Sequence, residues 1–349
     1  MTKKTFWLAI FVLTVGAFLA LPPAQAYVLQ YCDDGTNVRY PIDPDLDAPA
    51  AHMFISTTSF PPGSASESLI RDAMVAWSDV DGSDFVFVHG QDTDGTHDSD
   101  NGRNEVYFDD DDADDFLART MSRYDCDAGE KVESDIAFNT GYVFSTSEYD
   151  YSNPTGSPYN MEGVALHEFG HVLGLGHEDD LMATMNSLYP LSGPFGFYKE
   201  WEPFGDDLLG TRYLYPDSTT ETDLAASPLQ RTGAGQSGLV DSPASASPGS
   251  SVTIEFTFSN VGTTKQTFDI GFYLSTNDYI STGDRLLGTN VDAWGDPGFT
   301  GTFSRTVTIP SDIAPGTYYL GFRLDDHNEV PETNGGNNVQ PMPRSITIN

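Results

Sequence analysis

The pattern of apolar and polar positions divides the chain into two parts with different predicted secondary structure. Up to about residue 217, apolar residues recur at helical spacing in three segments. The first segment follows a capping box, in which Glu67 stands three residues after Ser64. Its apolar positions are Leu69, Ile70, Ala73, Met74 and Trp77. The second helix is predicted over about residues 161–173 and the third over about residues 206–213.

Short runs of strand-forming residues lie between these helices, and they become the dominant pattern later in the chain. In the first part they cover residues 84–89, 104–108 and 134–138. Beyond the polar segment at residues 217–221, no helical periodicity remains. Runs in which apolar and polar residues alternate cover residues 251–258, 268–274, 303–309 and 317–324. Evenly spaced short strands separated by turn residues predict a β-sandwich. We therefore predict a first domain over residues 27–216, a linker over 217–221 and a second domain over 222–349.

Residues 1–26 have the layout of a signal peptide. Two lysines precede an almost purely apolar run from Phe6 to Leu21, and residues 24–26 supply a small-x-small cleavage site. The apolar run is short and ends at a pair of prolines, which disfavours a membrane anchor. We expect a secreted, extracellular protein that is not embedded in a membrane.

Charge and cysteine content refine this interpretation. The chain has 52 acidic against 16 basic residues, a net charge of −36, which predicts no binding to nucleic acid. The acidic residues either keep the chain soluble, which is the interpretation we favour, or bind calcium as a cofactor, since clustered carboxylates are hard oxygen ligands. The two cysteines, Cys32 and Cys126, are predicted to form a disulfide in an oxidising compartment. The alternative is that Cys32 caps a metal as an inhibitory thiolate.

The candidate chemistry is concentrated in an eleven-residue window that holds three of the seven histidines. His167 and His171 are four residues apart on the second predicted helix, so both imidazoles can face one ion. Gly174 favours an end to the helix, after which the chain can return with His177 as a third ligand. Three imidazoles with one open position predict a catalytic zinc site, and Glu168 lies beside the first ligand as the candidate catalytic residue.

The sequence HEFGHVLGLGH resembles the signature of the metzincin clan of metallopeptidases, and within it the matrixin-like branch. The resemblance implies an α+β domain with helices and a twisted, mostly parallel sheet that has an antiparallel edge strand. It implies a zinc metalloendopeptidase that cleaves protein or peptide substrates through a zinc-activated water, with Glu168 as general base. It also implies a methionine turn, for which Met185 has the favoured position and Met182 is the alternative. Residues 117–124 are the candidate strand edge for substrate pairing.

The C-terminal half resembles the bacterial cell-adhesion-related (CARDB) domain, an immunoglobulin-like sandwich. The resemblance is carried by residues 272–275, Asp278, Asp284, residues 318–320, Glu332 and Asn337-Asn338. It implies that this domain binds a surface, a polysaccharide or a protein partner. Asp278 and Asp284 lie in a polar loop that is either a calcium site or an ordinary solvated turn.

Two other classes of function stay open at this point. An adhesion protein with a vestigial zinc helix is favoured by the appended domain, but Glu168 and all three histidine ligands are intact. A zinc hydrolase acting on non-protein substrates would need a fold outside the metzincins. His89 and His97 are candidates for a structural zinc site or are plain loop residues, and the specificity pocket is expected at residues 186–193.

Overall fold

The computed structural model describes residues 27–92, 100–109, 116–147, 158–179, 183–187, 202–227 and 243–349. The predicted signal peptide, His97, Met182 and most of residues 186–193 lie outside these ranges. Within them the chain has three α-helices and sixteen strands, so the described fold is rich in β-structure. None of the described helices combines the length and apolar character needed to cross a membrane.

The N-terminal region is built on a six-stranded sheet. Its strands are β1 (Ile42–Asp43), β2 (Ala48–Ser56), β3 (Val86–Asp92), β4 (Asn104–Asp109), β5 (Ala118–Asp125) and β6 (Glu130–Asn139). The sheet order is β1-β2-β4-β6-β5, and β3 also pairs with β2. The β2–β3, β2–β4 and β4–β6 pairs are parallel, whereas β5 pairs antiparallel with β6 at one edge. Two short strands, β7 (Phe144–Ser145) and β8 (Tyr159–Asn160), form a separate parallel pair.

Two helices, α1 (Ala65–Ser78) and α2 (Met161–Leu173), bury their apolar residues in the same core as this sheet. The α1 helix begins at Ser64, whose hydroxyl accepts a hydrogen bond from the Glu67 backbone N–H at 3.2 Å, as its capping box predicts. Trp77 is fully buried, and its indole donates to the carbonyl of Leu166 on α2 at 2.9 Å. Burial of a large apolar side chain contributes about 1.5–3 kcal/mol. This packing therefore holds α2 firmly against α1.

The C-terminal region consists of two sheets around one core. The five-stranded sheet contains β10 (Ser245–Ala246), β12 (Gln266–Ser275), β13 (Arg285–Gly295), β15 (Gly316–Leu324) and β16 (Val339–Ile348). The three-stranded sheet contains β9 (Leu224–Ser227), β11 (Ser251–Asn260) and β14 (Thr300–Thr308). Phe256 of β11 contacts Phe272 and Phe322 of the other sheet, with ring centroids 5.1 and 5.2 Å apart. These aromatic contacts join the two sheets across their shared core.

The third helix, α3 (Gly205–Leu214), lies between the two regions. Leu209 of α3 packs in a small apolar cluster with Ala225 and Val261 of the C-terminal region. Arg212 reaches from α3 to Asp223, with 3.7 Å between the charged atoms. The predicted linker, residues 217–221, forms hydrogen bonds with both regions at its ends. The two regions are therefore packed against each other through α3.

Candidate metal centre

The helix α2 begins and ends at residues suited to its geometry. The Asn160 side chain accepts a hydrogen bond from the backbone N–H of Gly163 at 2.8 Å, which caps the N-terminus. The C-terminal residue Gly174 has φ = 118°, and a Cβ there would lie 2.8 Å from the carbonyl oxygen of Val38. Both the backbone conformation and the available space therefore require glycine. Because the helix stops here, the chain can turn and bring His177 back towards it.

His167, His171 and His177 are brought together by this turn. Each offers one ring nitrogen, and the three nitrogens lie within 4.8 Å of one another. The Nε2 atoms of His171 and His177 are 3.1 Å apart. A search of the described residues for three or more His, Cys, Asp or Glu side chains that could hold one metal ion finds these three histidines. The histidines that the sequence motif singles out are thus close enough to share one ion.

Hydrogen bonds to backbone carbonyls select the tautomer of two of these rings. Nδ1 of His167 is 2.8 Å from the carbonyl oxygen of Thr184, and Nδ1 of His171 is 2.9 Å from that of Leu175. A carbonyl oxygen can only accept, so both Nδ1 atoms carry the proton and both Nε2 atoms present a lone pair. Metal-bound histidines are oriented in proteins by the same kind of partner.

The protonation state of the three rings also suits a metal. Burial, with a smaller contribution from positive charge on His167, lowers the pKa of His171 to about 3. Burial is likewise the main cause that lowers the pKa of His167 and of His177. All three rings are therefore mostly neutral at pH 7, which is the state in which an imidazole nitrogen can bind a metal ion. Imidazole nitrogen is a favoured ligand of zinc, so these residues fit that ion.

Glu168 lies next to this group but is not one of its three converging residues. It is 5% exposed, and one carboxylate oxygen accepts a hydrogen bond from the Thr120 hydroxyl at 2.6 Å. Burial raises the pKa of Glu168 to about 7, while the Thr120 hydrogen bond lowers it by a smaller amount. A carboxyl group with a pKa near neutrality can both accept and return a proton, which is the property that acid–base catalysis requires.

Met185 lies directly beneath α2. It is 1% exposed, and a Cβ on Gly170 of the helix would overlap its sulfur atom. Its carbonyl accepts a hydrogen bond from the Glu178 backbone N–H at 2.9 Å.

Asp207 of α3 accepts hydrogen bonds from the backbone N–H groups of Thr184 and Met185. Sequence reasoning missed Asp207, because nothing in its local pattern distinguishes it from other acidic residues in a first helical turn.

Lys131 and Tyr215 form further hydrogen bonds with backbone carbonyls of α2. The buried ammonium of Lys131 donates to the carbonyl of His171 at 2.7 Å and to the Ser122 hydroxyl at 3.1 Å. Burial lowers the pKa of Lys131 well below its usual value. The Tyr215 hydroxyl donates to the carbonyl of Leu173 at 2.6 Å. These partners come from distant parts of the chain, and no local signal in the sequence indicates them.

The other candidate residues have ordinary structural partners. Cys32 and Cys126 form a disulfide with Cα atoms 5.9 Å apart, so Cys32 is not a free thiolate here. His89 lies 3.6 Å from the Glu67 carboxylate, and burial lowers the pKa of its imidazole. The Asp284 carboxylate accepts hydrogen bonds from the backbone and hydroxyl of Ser281, the pattern of a polar turn. The calcium site in this loop stays a prediction.

Comparison with known families divides the chain into two matches. Residues 51–216 match the family model described as Matrixin, and residues 239–341 match the model described as CARDB. Human matrix metalloproteinase-20 is 42% identical over 57 residues, which is 16% of this chain and 11% of that protein. Metalloendoproteinase 1 of Glycine max is 43% identical over 63 residues, which is 18% of this chain and 19% of that protein. The chain thus spans a small part of the curated relatives that it matches.

Among solved structures, this chain is similar over part of its length to the CARDB domain of a Pyrococcus furiosus protein. The identity is 15%, and the match covers 38% of this chain and 97% of that domain with a TM-score of 0.27. A solution structure of the same domain is 17% identical, and that match covers 37% of this chain and 97% of the domain with a TM-score of 0.26.

Proposed function

We propose that the chain is a zinc metalloendopeptidase, from the premise that residues 51–216 match the matrixin family model and residues 239–341 match the CARDB model. The observation that carries the proposal is the convergence of His167, His171 and His177, with ligand nitrogens within 4.8 Å of one another. In this proposal the three Nε2 atoms hold the zinc, and Met185 supports the helix beneath it. The substrates are proteins or peptides.

Zinc held by three imidazoles supplies a Lewis acid that polarises the scissile carbonyl and makes water more acidic. Glu168 acts as the general base in this proposal: it accepts a proton from the attacking water and delivers it to the leaving amine. The position of Glu168 outside the ligand set and its pKa of about 7 support both roles. Its burial excludes bulk water from the carboxylate, which strengthens its electrostatic interactions.

The edge strand β5 is the proposed substrate-pairing strand. In the described part of the chain, β5 is a terminal strand of its sheet and pairs with β6 along one side. Its other side can add an extended peptide through backbone hydrogen bonds, the mode known as β-augmentation. Thr120 of β5 contacts Glu168, so a peptide added to this edge lies beside the proposed base. The scissile bond would then be presented to the metal centre.

The remaining parts of the proposal concern the surroundings of the enzyme. The disulfide between Cys32 and Cys126 supports an oxidising compartment, in agreement with a secreted, extracellular protein. We propose that the C-terminal region is an immunoglobulin-like sandwich that binds a surface, a polysaccharide or a protein partner. We also propose calcium as a second cofactor, on the ground of the many acidic residues of the chain. The roles proposed for Glu168 and the three histidines do not depend on the C-terminal partner or on calcium.

The test compares casein cleavage by the full chain with cleavage by Glu168→Gln, with and without a zinc chelator. We expect the chelator to abolish wild-type cleavage and zinc to restore it. Glu168→Gln should keep about one zinc per chain yet lose at least about 10²–10⁴-fold in kcat, the usual contribution of general acid–base catalysis. Glu162→Gln, on the first turn of the same helix, is the matched control and should cleave at the wild-type rate. A wild-type protein that binds zinc but cleaves no protein would favour the binding-protein alternative.

A further inference from the structure

We propose that Thr120 is a positioning residue for Glu168, and that its hydroxyl fixes the carboxylate in the orientation needed for proton transfer. The inference rests on the proposed peptidase function. It goes further because it assigns a role to a residue of the edge strand that lies outside the zinc-binding motif. Thr120 is a positioning residue because it acts through Glu168 and not on the reacting atoms.

The contact between the two side chains is short and charge-assisted. Thr120 Oγ1 lies 2.6 Å from Glu168 Oε2 and 3.1 Å from the carbonyl oxygen of Glu168. A threonine hydroxyl has one proton, and the shorter contact to the more negative oxygen takes it. One oxygen of the carboxylate is therefore held by Thr120, which leaves the other oxygen for the attacking water. Without this contact, the carboxylate of a glutamate samples several rotamers.

The placement of Thr120 depends on the register of the sheet. Thr120 pairs with Ile136 of β6, which is fully buried, so the backbone position of Thr120 cannot shift easily. Alternation along β5 puts Ala118 and Ser122 on the same side of the sheet as Thr120. The Ser122 hydroxyl accepts a hydrogen bond from Lys131, whose ammonium also donates to the His171 carbonyl. This side of β5 thus has two polar connections to α2, one at the base and one at a ligand.

This arrangement links substrate binding to the proposed catalytic base. Thr120 belongs to the strand that would pair with an extended peptide, and its side chain reaches Glu168. A peptide that adds to the outer edge of β5 would restrain the same backbone that carries Thr120. A hydrophobic residue of equal shape at position 120 should leave substrate binding intact but leave the base less well oriented.

The kinetic test compares a substitution that removes the hydroxyl with one that keeps it. Thr120→Val keeps the branched shape but has no hydroxyl, so kcat should fall about tenfold, the factor for loss of about 1.4 kcal/mol. KM and the zinc content per chain should stay within about twofold of wild type, because neither binding surface nor ligands change. Thr120→Ser keeps the hydroxyl and should retain most of the activity. Thr253→Val, at an exposed threonine of β11, is the control for a general threonine-to-valine effect.

A second measurement does not depend on activity. Thermal unfolding of the full chain is followed for Thr120→Val, Glu168→Ala and the double variant, with zinc content measured in each sample. If the two side chains interact, the losses in melting temperature are not additive, and the double variant loses less than the sum of the two. Additive losses, or an active Thr120→Val enzyme with wild-type kcat, would overturn the positioning role.

The two measurements separate this inference from the proposed function. A wild-type protein without chelator-sensitive cleavage contradicts the peptidase assignment, and the positioning role with it. An active wild-type enzyme whose kcat is unchanged in Thr120→Val contradicts only the role of Thr120. A lower melting temperature of Thr120→Val with an unchanged kcat would also overturn it, because that result indicates a purely structural contact.

Discussion

Asp207 holds the backbone of Met185 in place beneath the histidine helix. Its two carboxylate oxygens accept hydrogen bonds from the N–H groups of Thr184, at 2.7 Å, and Met185, at 3.2 Å. The carbonyl of Thr184 in turn accepts the hydrogen bond from Nδ1 of His167. One buried carboxylate on α3 therefore supports both the backbone at Thr184 and Met185 and, through it, the orientation of a histidine ring.

Removal of this carboxylate should weaken both the fold and the proposed metal site. Asp207→Ala leaves buried N–H groups without an acceptor, so the unfolding free energy should fall by about 2–4 kcal/mol and zinc should dissociate more readily. Asp207→Asn keeps one acceptor oxygen and should have a smaller effect. The measurements are denaturant unfolding and competition with a zinc chelator. Asp72→Ala, at an exposed position on α1, is the control, and an equally small effect at both positions would contradict the prediction.

Gly170 should tolerate no side chain. A Cβ at this position would overlap the sulfur of Met185 and lie 3.0 Å from the ring of Trp77. We expect Gly170→Ala to lower the unfolding free energy by about 1–3 kcal/mol through overpacking, although alanine is the better helix former. Chemical denaturation measures this loss. Gly288→Ala is the matched control, because a Cβ at Gly288 would contact nothing within 4 Å. Similar stability of the two variants would be evidence against close packing between Gly170 and Met185.

Reduction of the disulfide should destabilise the N-terminal region. Cys32 and Cys126 are separated by 94 residues, and a cross-link over a loop of this length restricts the unfolded chain strongly. Replacement of both cysteines by serine should lower the unfolding free energy by about 2–5 kcal/mol. The same loss should follow from adding a reductant to the wild-type protein. The reductant should have no effect on the double-serine variant, which separates loss of the bridge from other effects of the reagent.

The stability of the C-terminal region should depend on pH through Glu332. Burial raises the pKa of this carboxyl group from 4.5 to about 7, against the smaller opposite effect of its hydrogen bonds with Asn338 and Leu224. The folded state therefore binds more protons than the unfolded state between about pH 4.5 and pH 7. The unfolding free energy falls as the pH rises through this window, and the contribution is lost above it.

Glu332→Gln should remove this dependence. Between pH 5 and pH 8 the variant should lose less in melting temperature than the wild type, by more than about 2 °C. Calorimetry at a series of pH values measures the difference. Glu329→Gln, at an exposed position on the same loop, is the control and should follow the wild-type curve. Parallel curves for Glu332→Gln and wild type would show that this carboxyl group does not titrate in the predicted window.

The sequence predicted those local features whose conformation is set by residues nearby in the chain. The capping box at Ser64 predicts the start of α1, and the structure has that hydrogen bond. The second helix is observed over Met161–Leu173, and Gly174 ends it with a positive φ, because both depend on residues within one turn. Strands β9 and β13 were not predicted, since β9 has only four residues, while β13 is mostly not buried and pairs with β12 through two register shifts. The family matches of both halves were also readable from short motifs.

By itself, the sequence determined which histidines come together as candidate metal ligands, because a helix puts positions four apart on one face and a glycine ends it at a given residue. Only the tertiary structure decided which groups support them. Thr120, Lys131 and Asp207 reach this site from three elements that are far from it in the chain, and their hydrogen bonds depend on sheet register and helix packing. A polar residue has the same local signature whether it faces water or a buried carboxylate. The packing of the whole chain, and not its local pattern, selects its partner.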